Sequence, residues 1–246
     1  MPQPTKARTA REKLILALDV PSMDEAIGIV KELKEEVGLF KIGLELYAHG
    51  GTRLFEAMRA EGVPFFFDCK FHDIPNTVAR ASQALVGQGI AMFNVHATGG
   101  FEMMQATARA THKAAQEANV AVPKIISVTM LTSISDKEAS EVGFASTVSQ
   151  LVPKLALLTQ RAGLDGVVAS AQEVKAIRQA CGPDFFIVTP GIRPAWSSSD
   201  DQKRIVTPAQ AIEDGADYLV VGRPITQASS RRDAARRIVE EMESTN

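Results

Sequence analysis

The sequence holds two cysteines, Cys69 and Cys181, and no CxxC pair. That is too few for a disulfide framework, and a thiolate zinc site has no ligand pair to start from. Long apolar runs are missing too. The first run, 14–18, is five residues long, where a membrane-spanning helix needs ~20. It also lacks the longer apolar core and cleavage site of a secretion signal. Neither sign of charge dominates: 27 Lys and Arg stand against 29 Asp and Glu, for a net charge of −2. No basic field is available to hold a polyanion, which sets nucleic acid aside as the main partner. A small phosphorylated ligand needs only two or three local donors and stays open. No GxGxxG turn follows the first apolar run, which weighs against a dinucleotide fold. The expected setting is the cytoplasm, with no membrane partner.

What the chain does have is alternation. Short apolar runs at 14–18, 39–44, 64–67, 91–95, 124–128, 166–169, 185–188 and 218–221 are separated by amphipathic stretches. Continuous apolar runs of this length fit strands of a parallel sheet covered on both faces. Between them, Ala26, Ile27, Val30, Leu33 and Val37 keep a helical rhythm over 23–36, with Ser22 as N-cap. Further helices are expected over 52–60, with Gly62 after it, over 171–180 and over 230–242. Eight β-then-α units in 246 residues predict one closed (β/α)8 barrel, a TIM barrel, which takes ~250 residues. Residues 1–11 are polar and Pro-containing and are expected to form a flexible extension, leaving 12–246 as the single domain. Two long connections, 129–150 and 190–207, follow strands and therefore belong to the C-terminal rim, where barrel active sites sit.

The most informative segment is 64–77, PFFFDCKFHDIPNT. A buried strand does not end in charge without a reason. Alternation puts Asp68 and Lys70 on one face and Cys69 on the other, with Asp73 in the following loop. A structural ion pair at a strand end is the competing reading. However, Asp19 closes the first run and Lys41 sits in the second, so charges of alternating sign follow successive strands. At ~4 Å and an effective dielectric near 20, each unit pair is worth about 4 kcal/mol. Such an array keeps the lysines protonated and the carboxylates ionised. It can stabilise developing negative charge and then deliver a proton.

The stretch 68–77 resembles the DxKFHDIPNT motif of the orotidine 5′-phosphate decarboxylase family. The resemblance extends from about residue 14 to about residue 227 and includes LALD (16–19), FKIGLEL (40–46), NVHATGG (94–100), VTMLTS (128–133), GLDGVV (163–168), VTPGIRP (188–194) and VGRPITQ (221–227). It implies decarboxylation of orotidine 5′-phosphate to uridine 5′-phosphate, the last step of pyrimidine nucleotide synthesis, with no metal or organic cofactor. Carried onto matching positions, Lys70 is the proton donor to the pyrimidine C6. Asp68 sits near the departing carboxylate and keeps Lys70 placed. Lys41 and Asp19 bind ribose, and Thr132 meets the pyrimidine edge. Gln202, Arg193, Arg223 and the Gly222 amide hold the phosphate. Ile74 is carried over as a substrate-binding position. The resemblance also implies a homodimer in which Asp73 and Thr77 reach the neighbouring active site.

Other residues admit blander roles. Cys69 replaces a more usual aliphatic residue and is expected to pack in the core without thiol chemistry. His72 is expected to make a structural hydrogen bond, and His96 a structural contact at the rim. His49 and His112 fall on helical stretches as surface residues. Trp196 reads as a packing residue, and the loop 195–201 diverges from the family pattern. Two other functions remain to be separated from the first. One is a magnesium-dependent sugar-phosphate decarboxylase or aldolase of the same barrel group. The other is a non-catalytic nucleotide-binding barrel.

Overall fold

The computed structural model describes residues 9–196 and 206–244. Eight parallel strands close into a barrel in sequence order: β1 (Leu14–Ala17), β2 (Leu39–Ile42), β3 (Phe65–Phe71), β4 (Ile90–His96), β5 (Lys124–Val128), β6 (Gly166–Val168), β7 (Phe186–Pro190) and β8 (Tyr218–Val221). The ring closes where Ile15 pairs with Val220 across β1 and β8. Each strand is followed by helix, so the expected (β/α)8 architecture is present as one domain.

Two apolar layers account for the closure. An inner cluster that includes Ile15, Leu39, Phe66, Met92, Ile126 and Val188 fills the barrel. The intervening residues, such as Leu16, Phe40, Phe65, Phe93 and Ile125, belong to a larger cluster shared with the helices. The period-2 alternation of a strand supplies both layers, which is why each run reads as continuously apolar. The same parity carries upward: Lys41 lies two residues beyond Leu39, Asp68 two beyond Phe66, and Asn94 two beyond Met92. The inner filling therefore ends in a polar layer at the C-terminal mouth.

Local signals place the helices. Ser22 accepts from the Glu25 backbone amide at the start of Met23–Leu33. That helix stops short of residue 36, and Val37 turns back onto Leu33. Gly62 follows the helix Arg53–Ala60 with φ of 71°, a conformation that glycine adopts without steric cost. The stretch 171–180 divides into a 3-10 turn, Ala171–Glu173, and the helix Val174–Cys181. A helix that the periodicity did not predict, Leu44–Gly50, takes up the end of the second apolar run. At the N-terminus the order begins earlier than expected. Thr9 caps a short helix, Ala10–Lys13, in a capping box with Glu12, and Arg11 donates to the Val37 carbonyl across the barrel floor. Residues 9–11 are thus part of the folded domain. Among the described residues, no helix is long and apolar enough to cross a membrane.

Candidate active site

The polar layer at the mouth is a chain of alternating charge. Lys41 Nζ donates to Asp19 Oδ1 at 3.1 Å and lies 3.5 Å from Asp68 Oδ2. Lys70 Nζ donates to the other oxygen, Asp68 Oδ1, at 2.6 Å. Asp19, Lys41, Asp68 and Lys70, drawn from three successive strand ends, are brought together as the sequence pattern predicted. Asp68 is the centre of the chain. Its side chain is 14% exposed, against 60% for Asp19.

Burial alone would drive Asp68 toward its neutral form, and it is the largest influence on the group. The charges of Lys41 and Lys70, with hydrogen bonds from Lys70 and Asn94, outweigh it and hold the carboxyl below its ordinary range. Because the folded pKa is depressed, the stability this contributes is present above the ordinary carboxylate pKa. It is lost as pH falls through the folded value. At neutral pH the mouth therefore carries a carboxylate gripped by two ammonium groups.

Lys70 meets Asp68, but not by simple strand alternation. Its backbone has φ of 49°, one of two positive values outside glycine among the described residues, the other belonging to the helix-terminal Asn119. The β3–β4 register explains the need. Phe67 pairs with Phe93 and Phe71 with Val95, so residues 68–70 bulge opposite the single residue Asn94. The bulge aims the Lys70 ammonium back over Asp68. Cys69, on the opposite side, is buried in the outer layer and donates its thiol to the Asn94 carbonyl at 3.1 Å. Burial pushes that thiol up to about 12, so it stays protonated, as its packing role requires.

Asn94 is the member that the sequence reading missed. It is fully buried. Its Nδ2 donates to Asp68 Oδ1 at 2.7 Å, and its Oδ1 accepts from the Lys70 amide at 2.7 Å. An amide in the apolar run IAMFNVH was the available signal, since a buried amide needs partners. Behind it, the His72 and His96 rings lie 5.3 Å apart. Burial first, then His72 and Lys70, lower the His96 pKa, so His96 is neutral in the physiological range. For His72, where a structural hydrogen bond was expected, the contact seen is this one with the His96 ring.

The remaining predicted residues lie on the segments that follow β3, β5, β7 and β8. Asp73 and Ile74 lie on the exposed turn that leads into the helix Pro75–Leu85, and Thr77 is exposed in the first turn of that helix. Asp73 Oδ1 accepts from the Ile74 amide, and among the described residues the Lys70 ammonium pairs with Asp68 and not with Asp73. Thr132 is exposed after β5. Gly222 follows β8 beside Asp19, whose Oδ2 would stand 3.8 Å from a Cβ placed on it, and Arg223 opens the short helix Arg223–Thr226. Arg193 donates its amide to the Val206 carbonyl, at the base of the long connection after β7. Trp196 lies under the Arg237 guanidinium at 4.3 Å, in keeping with a packing role. Gln202 and the Ser-rich stretch 197–199 lie outside the described residues.

Residues 12–238 match the sequence profile of the orotidine 5′-phosphate decarboxylase / HUMPS family. The chain belongs to this family. It is 50% identical over 234 residues to the orotidine 5′-phosphate decarboxylase of Heliobacterium modesticaldum, covering 95% of this chain and 96% of that one. The corresponding protein of Syntrophomonas wolfei is 49% identical over 236 residues, covering 95% and 99%. Among solved structures, the orotidine 5′-phosphate decarboxylase of Lactobacillus acidophilus superposes with a TM-score of 0.83 at 37% identity, over 93% of this chain and 98% of that one. The matched region contains the whole charge chain, from Asp19 to Lys70.

Proposed function

We propose that this protein decarboxylates orotidine 5′-phosphate to uridine 5′-phosphate in pyrimidine nucleotide synthesis, without a metal or organic cofactor. The observation that carries the reading is the unbroken chain Asp19–Lys41–Asp68–Lys70. The C6–carboxylate bond of the substrate breaks, and carbon dioxide leaves without the bonding electron pair. That pair remains on C6. An ammonium held at the mouth stabilises it as it forms, and Lys70 then transfers a proton to C6. Asp68, kept ionised by two lysines, faces the departing carboxylate and holds Lys70 in place. Lys41 and Asp19 take the ribose, and Thr132 the pyrimidine edge. Gly222, Arg223, Arg193 and Gln202 form the phosphate end, where barrel phosphate sites lie after strands seven and eight. Phosphate binding remote from C6 contributes to the barrier reduction by orienting the base.

The same reading makes the active unit a homodimer. Asp73, Ile74 and the helical Thr77 are exposed close together in sequence, and Ile74 is 66% exposed, a large apolar side chain on a rim that a second subunit would cover. Asp73 and Thr77 then serve the neighbouring active site.

Two tests bear on the chemistry. Purified protein is expected to convert orotidine 5′-phosphate to uridine 5′-phosphate at an unchanged rate in excess EDTA. A metal-dependent sugar-phosphate enzyme of the same barrel group would lose its activity there, and a binding-only barrel would hold uridine 5′-phosphate with no turnover. The second test concerns Gly43. A Cβ at this position would stand 3.1 Å from Lys41 Nζ and 3.4 Å from Asp19 Oδ1. Gly43→Ala is expected to displace the ammonium by a few tenths of an ångström and lower kcat/KM by ~10-fold, since small misplacements near reacting groups are costly. Steady-state kinetics beside a melting curve would check it. An unchanged kcat/KM would show that the Lys41–Asp19 geometry does not matter.

A further inference from the structure

One residue holds all three members of the β3 bulge. Asn94 receives the Cys69 thiol on its carbonyl, receives the Lys70 amide on Oδ1 and donates from Nδ2 to Asp68 Oδ1. We infer that Asn94 is a positioning residue for the decarboxylation, setting the Lys70 backbone and the Asp68 carboxylate in the geometry for proton delivery before substrate arrives. The inference rests on the function proposed above.

Three features of the geometry support it. First, the regular β3–β4 ladder is interrupted between Phe67 and Phe71. The Lys70 amide therefore finds its acceptor on the Asn94 side chain and not on a strand carbonyl. Second, Lys70 sits at φ of 49°, a conformation that a side-chain-bearing residue holds only when its surroundings impose it. The bond from its amide to Asn94 is the direct restraint on that turn. Third, Asp68 Oδ1 accepts from Asn94 Nδ2 and Lys70 Nζ together, at 2.7 Å and 2.6 Å, while Oδ2 is turned to Lys41. The amide thereby fixes which oxygen serves which lysine. It does so without charge, so the balance of two lysines and two carboxylates is undisturbed. A buried amide whose side-chain polar atoms both serve the reacting segment has a different design from one that bonds its own ladder. The Asn94 bond is also among the influences that keep Asp68 ionised.

The test compares Asn94→Leu, close in volume and unable to make either side-chain bond, with Asn94→Ser, smaller and milder. Orotidine 5′-phosphate turnover, uridine 5′-phosphate dissociation constants and melting curves are measured on both and on wild type. Asn94→Leu is expected to lower kcat by ~10²-fold, the scale of a misplaced reacting group. Product affinity should stay within about threefold, because the phosphate end is untouched. Asn94→Ser is expected to lose ~10-fold in kcat by the same displacement, with product affinity again retained. If Asn94→Leu does not fold, the serine variant decides. A folded variant with wild-type kcat overturns the inference. So does a loss of product affinity in step with kcat, which would mark a merely structural residue. Wild-type protein that releases no carbon dioxide from orotidine 5′-phosphate would instead overturn the function itself, and the positioning role with it.

Discussion

Replacing Lys70 with alanine is expected to lower turnover of orotidine 5′-phosphate by at least ~10⁴-fold, because in the proposed mechanism one side chain supplies both the general acid and the nearest charge stabilisation. Binding of uridine 5′-phosphate should survive, since in this reading the phosphate is held after β7 and β8 and the product has no carboxylate to face Lys70. The fold should survive as well. Orphaning a buried charge costs ~3–5 kcal/mol, but Asp68 would keep Lys41 at 3.5 Å and the Asn94 amide at 2.7 Å. Lys70 is itself 29% exposed, so little buried volume is vacated. Single-turnover kinetics and product titration on the same preparation separate the two effects. A variant that turned over at the wild-type rate would remove Lys70 as proton donor. One that neither turned over nor bound product would show that the lysine mainly maintains the pocket.

The fold was legible because closure of a barrel demands burial on both strand faces. That demand writes eight apolar runs into the chain, and their ends were misplaced by only a few residues. The charge chain was legible for the complementary reason. Asp19, Asp68 and Lys70 stand at or just past the ends of apolar runs and Lys41 stands within one, where charge is costly and therefore conspicuous. Three things were harder to see. Asn94 is a neutral residue inside an apolar run, and nothing local says that the strand opposite it bulges. The bulge is a property of the β3–β4 pairing, and pairing is not local in sequence. The helix Leu44–Gly50 begins with apolar residues that continue the strand pattern, so the boundary rests on the turn at Gly43. The capped turn at Thr9 was hidden because a four-residue helix leaves no periodic trace. Its capping-box residues, Thr9 and Glu12, were the only mark it left.

In the proposed homodimer, mixing the inactive variants Lys70→Ala and Asp73→Asn is expected to restore activity. In a twofold-symmetric dimer whose sites each take Lys70 from one subunit and Asp73 from the other, a hybrid holds one doubly altered site and one intact site. Random exchange makes half of the dimers hybrids, so roughly a quarter of the wild-type activity per site should return. The exposed placement of Asp73, on the same turn as Ile74 and outside the Lys70–Asp68 ion pair of its own chain, is what motivates the experiment. The readout is specific. A site built wholly within one chain gives no recovery, however completely the subunits exchange, because every site then carries one of the two lesions. Subunit exchange is followed independently, by mass tagging of one parent, so that absent recovery with proven exchange counts against the shared site. Recovery near a quarter would place Asp73 across the interface. The proton donor of one subunit would then depend on a carboxylate of the other, and dilution below the dimer dissociation constant would silence the enzyme without unfolding either chain.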